Sequence, residues 1–581
     1  MFKNIFPVLI IIVISVISAL PLLKPGLYTM HDDQQVARLF LFDEAFKSGQ
    51  FPVRWVSSLG FGFGYPLFVF YPPFVYMLGE TIHLIGFGFM DSIKIVFFLS
   101  ILLSGISIYI FIKELWGKVA AFTSSIFYIL VPYRALDVYV RGALAESFSF
   151  VWLPLILWSY YKLSATNKNL YIYLASIFLT LLMITHNLIF LPFMLIIFFY
   201  LLFLLLTSSK KRDLFIKICL TSVLTAGLSA FFFLPALFEK KFTIVDDLLL
   251  TNLAAYNIHF VYPQQLWNWQ WGFGGSSAGL TDGISFKVGK LHIIVSILSF
   301  LLSSILIIKL KKKPTISRKF YLITAIVTLF IFSAFMTTYY SKIIWDLLPP
   351  LGYLQFPWRF LTFTALFTSI LAGAFIYIVK LPILRILALI ILSILLVYTN
   401  LKLFRPQFYR TDFTDNKATS SEIINWNVSL SSFEYLPKGV ALIKSPLGTN
   451  IVDINKRDKS VRRAQVEQGE ATIDNIQSTP TKISFEVNAQ TSSIIKVNVF
   501  DFPGWVVKVN NQQVPISSDN KLKLITFNLK NGVSQVDIEF KNTLLRSLAD
   551  LISAISIIGL IIIFLWYLIL IKKGNLKRTN I

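Results

Sequence analysis

The chain has 581 residues, of which 56% are hydrophobic and 14% are charged. A soluble domain carries about 25% charged residues, so this composition excludes an ordinary soluble enzyme and indicates a membrane protein. The net charge of +23 does not indicate nucleic acid, because the lysines and arginines fall mainly in short loops between apolar segments. The single cysteine, Cys219, excludes an intramolecular disulfide and a cysteine-based metal site.

Apolar segments of about 20 residues, each long enough to span a membrane, follow one another through residues 1–400, and one more lies near the C-terminus. They predict about twelve transmembrane helices. The approximate ranges are 5–23, 92–112, 119–132, 147–162, 170–185, 188–207, 214–235, 291–310, 319–337, 358–379, 383–400 and 548–571. A cleaved signal peptide is the alternative for the first range, but its length and the missing small-x-small site favour a retained helix.

Basic residues decide the orientation of these helices. The loops after residues 112, 162, 207, 309 and 379 and the tail after 571 are basic and fall on one side, which predicts that this side and both termini are cytoplasmic. A further crossing at 66–86 would move every later basic loop outside. Its Pro72-Pro73 pair and the polar Glu80 and His83 also disfavour a spanning helix. We therefore expect an outer loop over 24–90 with interfacial or re-entrant helices.

This first outer loop opens with adjacent acids, Asp32 and Asp33, just after the first helix. A carboxylate there can act as a general base on an acceptor hydroxyl. Neighbouring residues of an extended segment point in opposite directions, so one acid would face the reaction while the other binds or positions. Capping of a helix over 33–47 is the alternative, and both roles can coexist.

Other polar residues of the loop are candidates for substrate binding. They are His31, Arg38 and Arg54. His31 could assist proton movement, or ligate a metal with Asp32, but one histidine beside two aspartates is weak evidence for a metal. We predict no metal site and no certain cofactor, and leave the need for a divalent cation open.

The second outer loop concentrates charge between two apolar segments. Its ionisable residues are Arg134, Asp137, Arg141 and Glu146. Arginine suits a phosphate because its planar fork donates hydrogen bonds in pairs and stays charged. A structural Arg–Glu pair with snorkelling side chains is the alternative.

Two later positions and one long loop complete the candidate site. His186 interrupts two apolar segments at the outer face, where a simple turn is the alternative. Arg359 could meet a lipid phosphate, while its neighbour Trp358 is also typical of an interfacial aromatic belt. The loop 236–290 carries tryptophans suited to sugar rings or lipid tails, or to interfacial packing.

Residues 401–546 differ from the rest because long apolar runs give way to alternation of apolar and polar residues. Ile483, Phe485 and Val487 alternate with polar neighbours. Asn510-Asn511 and Asn531-Gly532 lie where hairpin turns are expected. The fold class is thus a polytopic α-helical membrane protein with an extracytoplasmic antiparallel β-sandwich near its C-terminus. Residues 547–581 form the final helix and a basic cytoplasmic tail.

Several ordered motifs are similar to one family. HDD-x4-R, G-x-FP-x-RW and GFGYP-x-F-x-FYPP fall in the first outer loop, and PYR-x2-D-x-Y-x-RGALAE spans 132–146. QFPWRF, EYLP and FPGW follow at 355–360, 434–437 and 502–505. The chain resembles the bacterial YfhO-like membrane proteins, and especially those named 6-pyruvoyl-tetrahydropterin synthase-related. No zinc-binding histidine set of a pterin synthase is present in the sequence, so the name implies no pterin chemistry.

The resemblance implies a GT-C class glycosyltransferase, with a multi-span fold and a polyprenyl-phosphate-linked sugar as donor. It implies that Asp32 or Asp33 is the base, and that Arg134, Arg141 and Arg359 are candidates to hold the phosphate. The expected partners are that donor, the bilayer and a glycan, glycolipid or protein acceptor outside a bacterial cytoplasmic membrane. A transporter or flippase for lipid-linked glycans, or a non-catalytic assembly protein, is the alternative. Essential midplane charges and repeats would favour transport.

Overall fold

The structure is a computed structural model that describes residues 2–249, 255–309, 314–444, 450–454 and 463–572. Part of the basic loop at 310–313 and the predicted basic tail with Lys573, Lys577 and Arg578 lie outside the described residues.

Nine helices of the described ranges are long and apolar enough to cross a membrane. They are Phe89–Trp116, Lys118–Arg141, Asn187–Thr207, Lys211–Phe242, Lys290–Lys309, Lys319–Met336, Pro357–Ile378, Pro382–Leu403 and Leu544–Trp566. Two shorter apolar helices, Pro7–Leu23 and Leu170–Thr185, and the helix Leu144–Thr166 occupy the three other predicted positions. The multi-pass helical class is confirmed, whereas twelve crossings and their orientation stay predictions.

Short helices connect these long ones or form their end turns. The short α-helices are Gln35–Lys47, Leu67–Phe70, Phe74–Leu84, Pro132–Leu136, Val245–Leu249, Pro263–Trp267, Lys342–Leu347, Asp415–Ala418 and Ser429–Ser431. Single turns of 3-10 helix are Leu20–Leu23, Lys240–Phe242, Tyr256–Ile258, Tyr339–Ser341, Pro349–Leu354, Pro357–Phe360 and Leu401–Leu403. Two π-helical stretches, Asp137–Arg141 and Ile423–Val428, complete the helical structure of the described residues.

The segment 66–86 forms two short helices, Leu67–Phe70 and Phe74–Leu84, on either side of Pro72-Pro73. Neither approaches the roughly 20 residues that a spanning helix needs. Glu80 and Gly79 face inward and are buried, and Gly79 lies directly against Leu39. This packing fixes the segment against the helix Gln35–Lys47.

The C-terminal region contains small antiparallel sheets. One sheet has five strands, in the spatial order Gln512–Val514, Trp505–Val509, Gly532–Phe540, Lys482–Ala489 and Ala471–Ser478. A second sheet has three strands, in the order Leu524–Leu529, Ser493–Phe500 and Ala464–Gln468. A separate pair joins Leu442–Lys444 to Asn450–Val452. The alternation predicted for Ile483, Phe485 and Val487 is confirmed, because these three side chains are buried. The arrangement as a sandwich stays a prediction.

The two predicted hairpin turns have different outcomes. Asn510 and Asn511 both take positive φ, 49° and 65°, between two paired strands, as a tight hairpin requires. Asn531-Gly532 is not a hairpin turn, since the strand before it pairs with Ser493–Phe500 and the strand after it pairs with Lys482–Ala489. This turn carries the chain from one sheet to the other.

The aromatic half of the first outer loop docks against the C-terminal region. Trp55 packs on Trp505 and Phe540 with ring centroids 5.3 Å and 5.2 Å away. The carbonyl of Phe63 accepts a hydrogen bond from the backbone N–H of Phe500. The glycine-aromatic run at 55–70 therefore forms a packing surface for the C-terminal region.

Candidate functional site

Backbone hydrogen bonds attach the acidic end of the first outer loop to the second outer loop. The N–H of His31 donates to the carbonyl of Val140 at 3.0 Å, and the N–H of Asp32 donates to the carbonyl of Arg141 at 2.7 Å. The strand Leu27–Tyr28 just before them pairs antiparallel with Tyr409–Arg410. Asp32 is thus fixed by its backbone while its side chain remains exposed.

The second outer loop reaches Asp32 through an unusual local structure. Asp137–Arg141 is π-helical and ends at Gly142 with φ +67°. π-helical turns within α-helices are frequent at functional sites. A Cβ on Gly142 would lie 2.2 Å from Sδ of Met30, so only glycine allows the first loop to approach this closely.

Four buried ionisable residues form a cluster below Asp32. They are Asp137, Arg141, Glu146 and Arg359, with exposures of 0%, 5%, 1% and 9%. Arg141 Nη1 is bonded to Asp137 Oδ1 and lies 2.9 Å from Glu146 Oε2, while Arg359 Nε lies 3.6 Å from the same Glu146 oxygen. Asp32 is within electrostatic reach of both arginines. The structure therefore brings together five of the residues singled out in the sequence.

Two hydroxyl groups complete the shell of Glu146 and were missed in the sequence. Tyr133 Oη donates to Glu146 Oε1 at 2.6 Å, and Thr362 Oγ1 donates to the same oxygen at 3.1 Å. Tyr133 precedes Arg134 in the second outer loop, so a polar aromatic beside the charge cluster was the available signal. Thr362 carried none, because a threonine in an apolar helix more often bonds its own backbone.

Aromatic rings wall the cluster on the side of the long outer loop. The guanidinium of Arg141 lies 4.5 Å from the centroid of the Trp358 ring. Trp358 stacks on Phe356 and on Phe286, with centroids 4.8 Å and 5.6 Å away. Such a wall favours a charged guanidinium by cation–π attraction and keeps water from the cluster.

His186 lies near the cluster as the N-cap of the helix Asn187–Thr207. Its Nδ1 accepts from the N–H of Ile189 at 3.2 Å. Burial and, next, the nearby Arg359 lower the pKa of His186 to about 3. A neutral imidazole results, which fits the turn interpretation and adds no positive charge for a phosphate.

Asp33 lies next to an arginine that is not part of the cluster. Its Oδ2 lies 3.9 Å from Nη1 of Arg410, and about half of its side chain is exposed. Partial burial raises the pKa of Asp33, an effect that Arg410 opposes and Asp32 reinforces. Asp33 therefore has a partner outside the cluster, and the expectation that the two acids point in opposite directions stays a prediction.

Three predicted arginines lie elsewhere. Arg38 is buried beside Gln34 and Ser432 and stacks 4.2 Å from the Tyr71 centroid. Arg134 is fully buried, donates to Ser104 and covers the ring of Phe150 at 3.9 Å.

Arg54, the third of them, joins the first outer loop to the last helix. It pairs with Asp550 at 2.6 Å, and the pair lines a cavity of about 1170 Å³ among apolar helices. Among the described residues, none of these three arginines forms a hydrogen bond or ion pair with Asp32.

His31 bonds to the long outer loop, with Nε2 3.0 Å from the carbonyl of Phe273. In the part of the chain that the structure describes, no three histidine, cysteine, aspartate or glutamate side chains are grouped as ligands for a metal ion. The arrangement around Asp32 thus consists of one exposed carboxylate, two buried guanidinium groups and the carboxylates that balance them.

Comparison with known proteins identifies few similar proteins. No protein-family model and no curated protein matches the chain. One similar solved structure is the arabinofuranosyltransferase AftD from Mycobacteria, determined by single-particle cryo-EM, at 11% identity and a TM-score of 0.44. The match covers 69% of this chain and 27% of that one, so the chain spans about a quarter of the length of that protein.

Proposed function

We propose that the chain is a membrane glycosyltransferase with Asp32 as its general base. It transfers a sugar from a polyprenyl-phosphate-linked donor to a hydroxyl of an extracytoplasmic glycan, glycolipid or protein at the outer face of a bacterial cytoplasmic membrane. One observation carries the proposal: the exposed carboxylate of Asp32 is held by its backbone at the rim of the buried cluster of Arg141, Glu146 and Arg359. The family resemblance of the sequence motifs adds to it.

The chemistry required of the protein is modest, because the donor is already activated. Asp32 takes the proton of the acceptor hydroxyl as that oxygen bonds to the anomeric carbon. The bond between the anomeric carbon and the phosphate oxygen breaks, and its electron pair leaves with the polyprenyl phosphate. A single displacement of this kind inverts the anomeric centre.

The buried cluster is suited to hold Asp32 rigidly in position for this reaction. Glu146 ties Arg141, Tyr133 and Thr362 into one network, so the backbone that holds Asp32 has little freedom. Of the two arginines in the cluster, Arg359 has more unused donors: among described residues its guanidinium makes one hydrogen bond, from Nη1 to the carbonyl of Leu354 at 2.8 Å, whereas that of Arg141 makes three. We assign Arg359 to contact the reacting sugar phosphate.

The test is transfer of a labelled sugar from polyprenyl phosphate by the purified full chain. Asp32→Asn should lower the transfer rate by roughly 100-fold or more, since general bases contribute about 10²–10⁴-fold. Asp33→Asn is the matched neighbour and should change it less than about fivefold, because it loses only an exposed ion pair. The proposal is wrong if correctly inserted Asp32→Asn protein transfers sugar at the unmutated rate.

A further inference from the structure

The cluster below Asp32 has no net positive charge to balance a phosphate, although Arg359 has unused donors for a hydrogen bond to it. Arg141 and Arg359 face the carboxylates of Asp137 and Glu146, and Asp32 adds a further negative charge at the rim. An anionic donor needs net positive charge close by, because a phosphate is otherwise repelled by these carboxylates. Another group of cations must supply it.

Three lysines next to this site are such a group, here named the lysine cluster: Lys287, Lys290 and Lys402. Each ammonium lies over an aromatic ring, at 5.5 Å from Trp271, 5.8 Å from Trp267 and 5.9 Å from Tyr398. None of the three forms an ion pair with a carboxylate of the described residues. The acid nearest to Lys287 in sequence, Asp282, is buried and accepts hydrogen bonds from Gln265 and Ser277 instead.

The ammonium group of Lys287 is repelled by those of Lys402 and Lys290. Partial burial, followed by the charges of Lys402 and Lys290, lowers the pKa of Lys287. Snorkelling toward water explains lysines at helix ends. It does not explain why the half-buried Lys287 lies within reach of the charges of the exposed Lys290 and Lys402 with no paired anion, an arrangement that a bound anion would stabilise.

The lysine cluster adjoins the candidate site through two short connections. Phe286, next to Lys287, stacks on Trp358, whose ring carries Arg141. Trp271, under Lys287, lies two residues before Phe273, whose carbonyl bonds to His31. Lys290 begins one apolar helix and Lys402 follows another, Pro382–Asn400, so the cluster lies where two helices end.

We infer that the lysine cluster binds the phosphate of a lipid-linked substrate, with the lipid chain in the bilayer beside it and the sugar extending toward Asp32. The inference rests on the proposed function for the identity of the sugar-carrying lipid. Aromatic rings and lysines at headgroup level suit a lipid-borne phosphate, because the rings accommodate the first part of the chain while the ammonium groups contact the anion.

The experiment measures binding to the full chain in neutral phosphatidylcholine nanodiscs. The probes are a long-chain prenyl phosphate, inorganic phosphate and phosphatidylglycerol. The triple variant Lys287→Gln/Lys290→Gln/Lys402→Gln should bind prenyl phosphate about tenfold or more weakly. Lys→Arg at the same three positions should retain it.

A control triple variant, Lys113→Gln/Lys210→Gln/Lys380→Gln, removes the same number of charges from the basic loops on the predicted cytoplasmic side. It should change binding less than about twofold. Unchanged prenyl phosphate binding by the first triple variant overturns the inference. Equal competition by phosphatidylglycerol or by inorganic phosphate overturns the assignment to a lipid-linked substrate.

Sugar transfer separates this inference from the proposed function. If prenyl phosphate binding depends on the lysine cluster but no variant or wild-type protein transfers sugar, the phosphate site stands and the glycosyltransferase proposal fails. If wild-type protein transfers sugar and the triple variant has unchanged KM, the lysine cluster is not the donor site while the glycosyltransferase proposal stands.

Discussion

Among single residues, Glu80 couples stability to pH. It is 3% exposed and lies beside Asp43, which is 5% exposed and pairs with Lys47 at 2.7 Å. Burial and, next, the charge of Asp43 raise the pKa of Glu80 to about 7. A carboxyl with a raised pKa in the fold is favoured there as the neutral acid, so stability falls as pH rises from its unfolded pKa through about 7.

Glu80→Gln should therefore raise the midpoint of thermal unfolding at pH 8 and have little effect at pH 5. The amide resembles the neutral acid, which the wild-type fold already contains at pH 5. Thermal unfolding of both proteins in detergent at the two pH values measures this. Glu470 is exposed, and Glu470→Gln is the control. It should change the unfolding midpoint by the same amount at pH 5 and pH 8. An equal shift at pH 5 and pH 8 would show that packing, not ionisation, determines the effect.

Single charged residues were found in the sequence more readily than their partners. Arg141, Glu146 and Arg359 stand out because charge between apolar segments is rare. Their convergence was not predictable, since Arg359 lies more than 200 residues from Glu146 in sequence and a single sequence carries no pairing information. Arg134 shows the reverse, because the same residue type three positions from Asp137 is fully buried against Phe150 and Ser104.

Among the elements, the contact between the first and second outer loops depends on Gly142. Gly142→Ala introduces a Cβ 2.2 Å from Met30. It also places alanine at φ +67°, a backbone conformation that costs alanine about 1–2 kcal/mol. We expect lower stability and loss of the hydrogen bonds from His31 and Asp32 to the π-helical turn, with sugar transfer reduced beyond the loss of folded protein.

Gly49→Ala is the matched control for Gly142→Ala. Gly49 also has positive φ, +92°, just after a helix of the first outer loop, but a Cβ there meets nothing within 4 Å. Its substitution should lower the unfolding midpoint with transfer per folded molecule unchanged. Equal effects of the two variants on transfer would mean that backbone strain alone, not the contact with Met30, controls the site.

Some elements could be predicted from the sequence more completely than others. All twelve predicted apolar ranges coincide with helices, because a long apolar run has few alternatives in a membrane. The contacts of the aromatic run at 55–70 were harder to predict, since aromatic rings suit a membrane interface and a protein interface equally. Only the contacts of Trp55 with Trp505 and Phe540 distinguish the two.

At the scale of the whole molecule, one buried and one partly buried ion pair attach the last helix to the rest of the chain. Arg54 pairs with Asp550 at 2.6 Å and Arg546 pairs with Glu239 at 2.8 Å. The helix Leu544–Lys572 presents most of its apolar surface outward, so these ion pairs near its start are specific attachments, together with the hydrogen bonds between Ser553 and the backbone of Phe231 and Gly227. They position the end of the C-terminal region over the membrane helices.

A double-mutant cycle on Arg54 and Asp550 tests this attachment. Arg54→Gln and Asp550→Asn should each lower the free energy of unfolding by about 2 kcal/mol, because each leaves a partner unpaired. The double variant should lose less than the sum by about 1 kcal/mol. Titration with sodium dodecyl sulfate measures these values. The exposed pair Lys417–Asp412, at 2.8 Å, is the control and should couple by less than about 0.5 kcal/mol.

The same variants decide between two roles for Arg54, which the sequence placed among the substrate-binding residues. Its Nη1 and Nη2 are occupied by Asn542, Asp550 and the carbonyl of Phe231. With its donors engaged in this way, we expect Arg54→Gln protein to transfer sugar with unchanged KM well below its unfolding midpoint. A raised KM with unchanged stability would instead make Arg54 a substrate contact, and the last helix would then be held chiefly by Arg546 and Glu239.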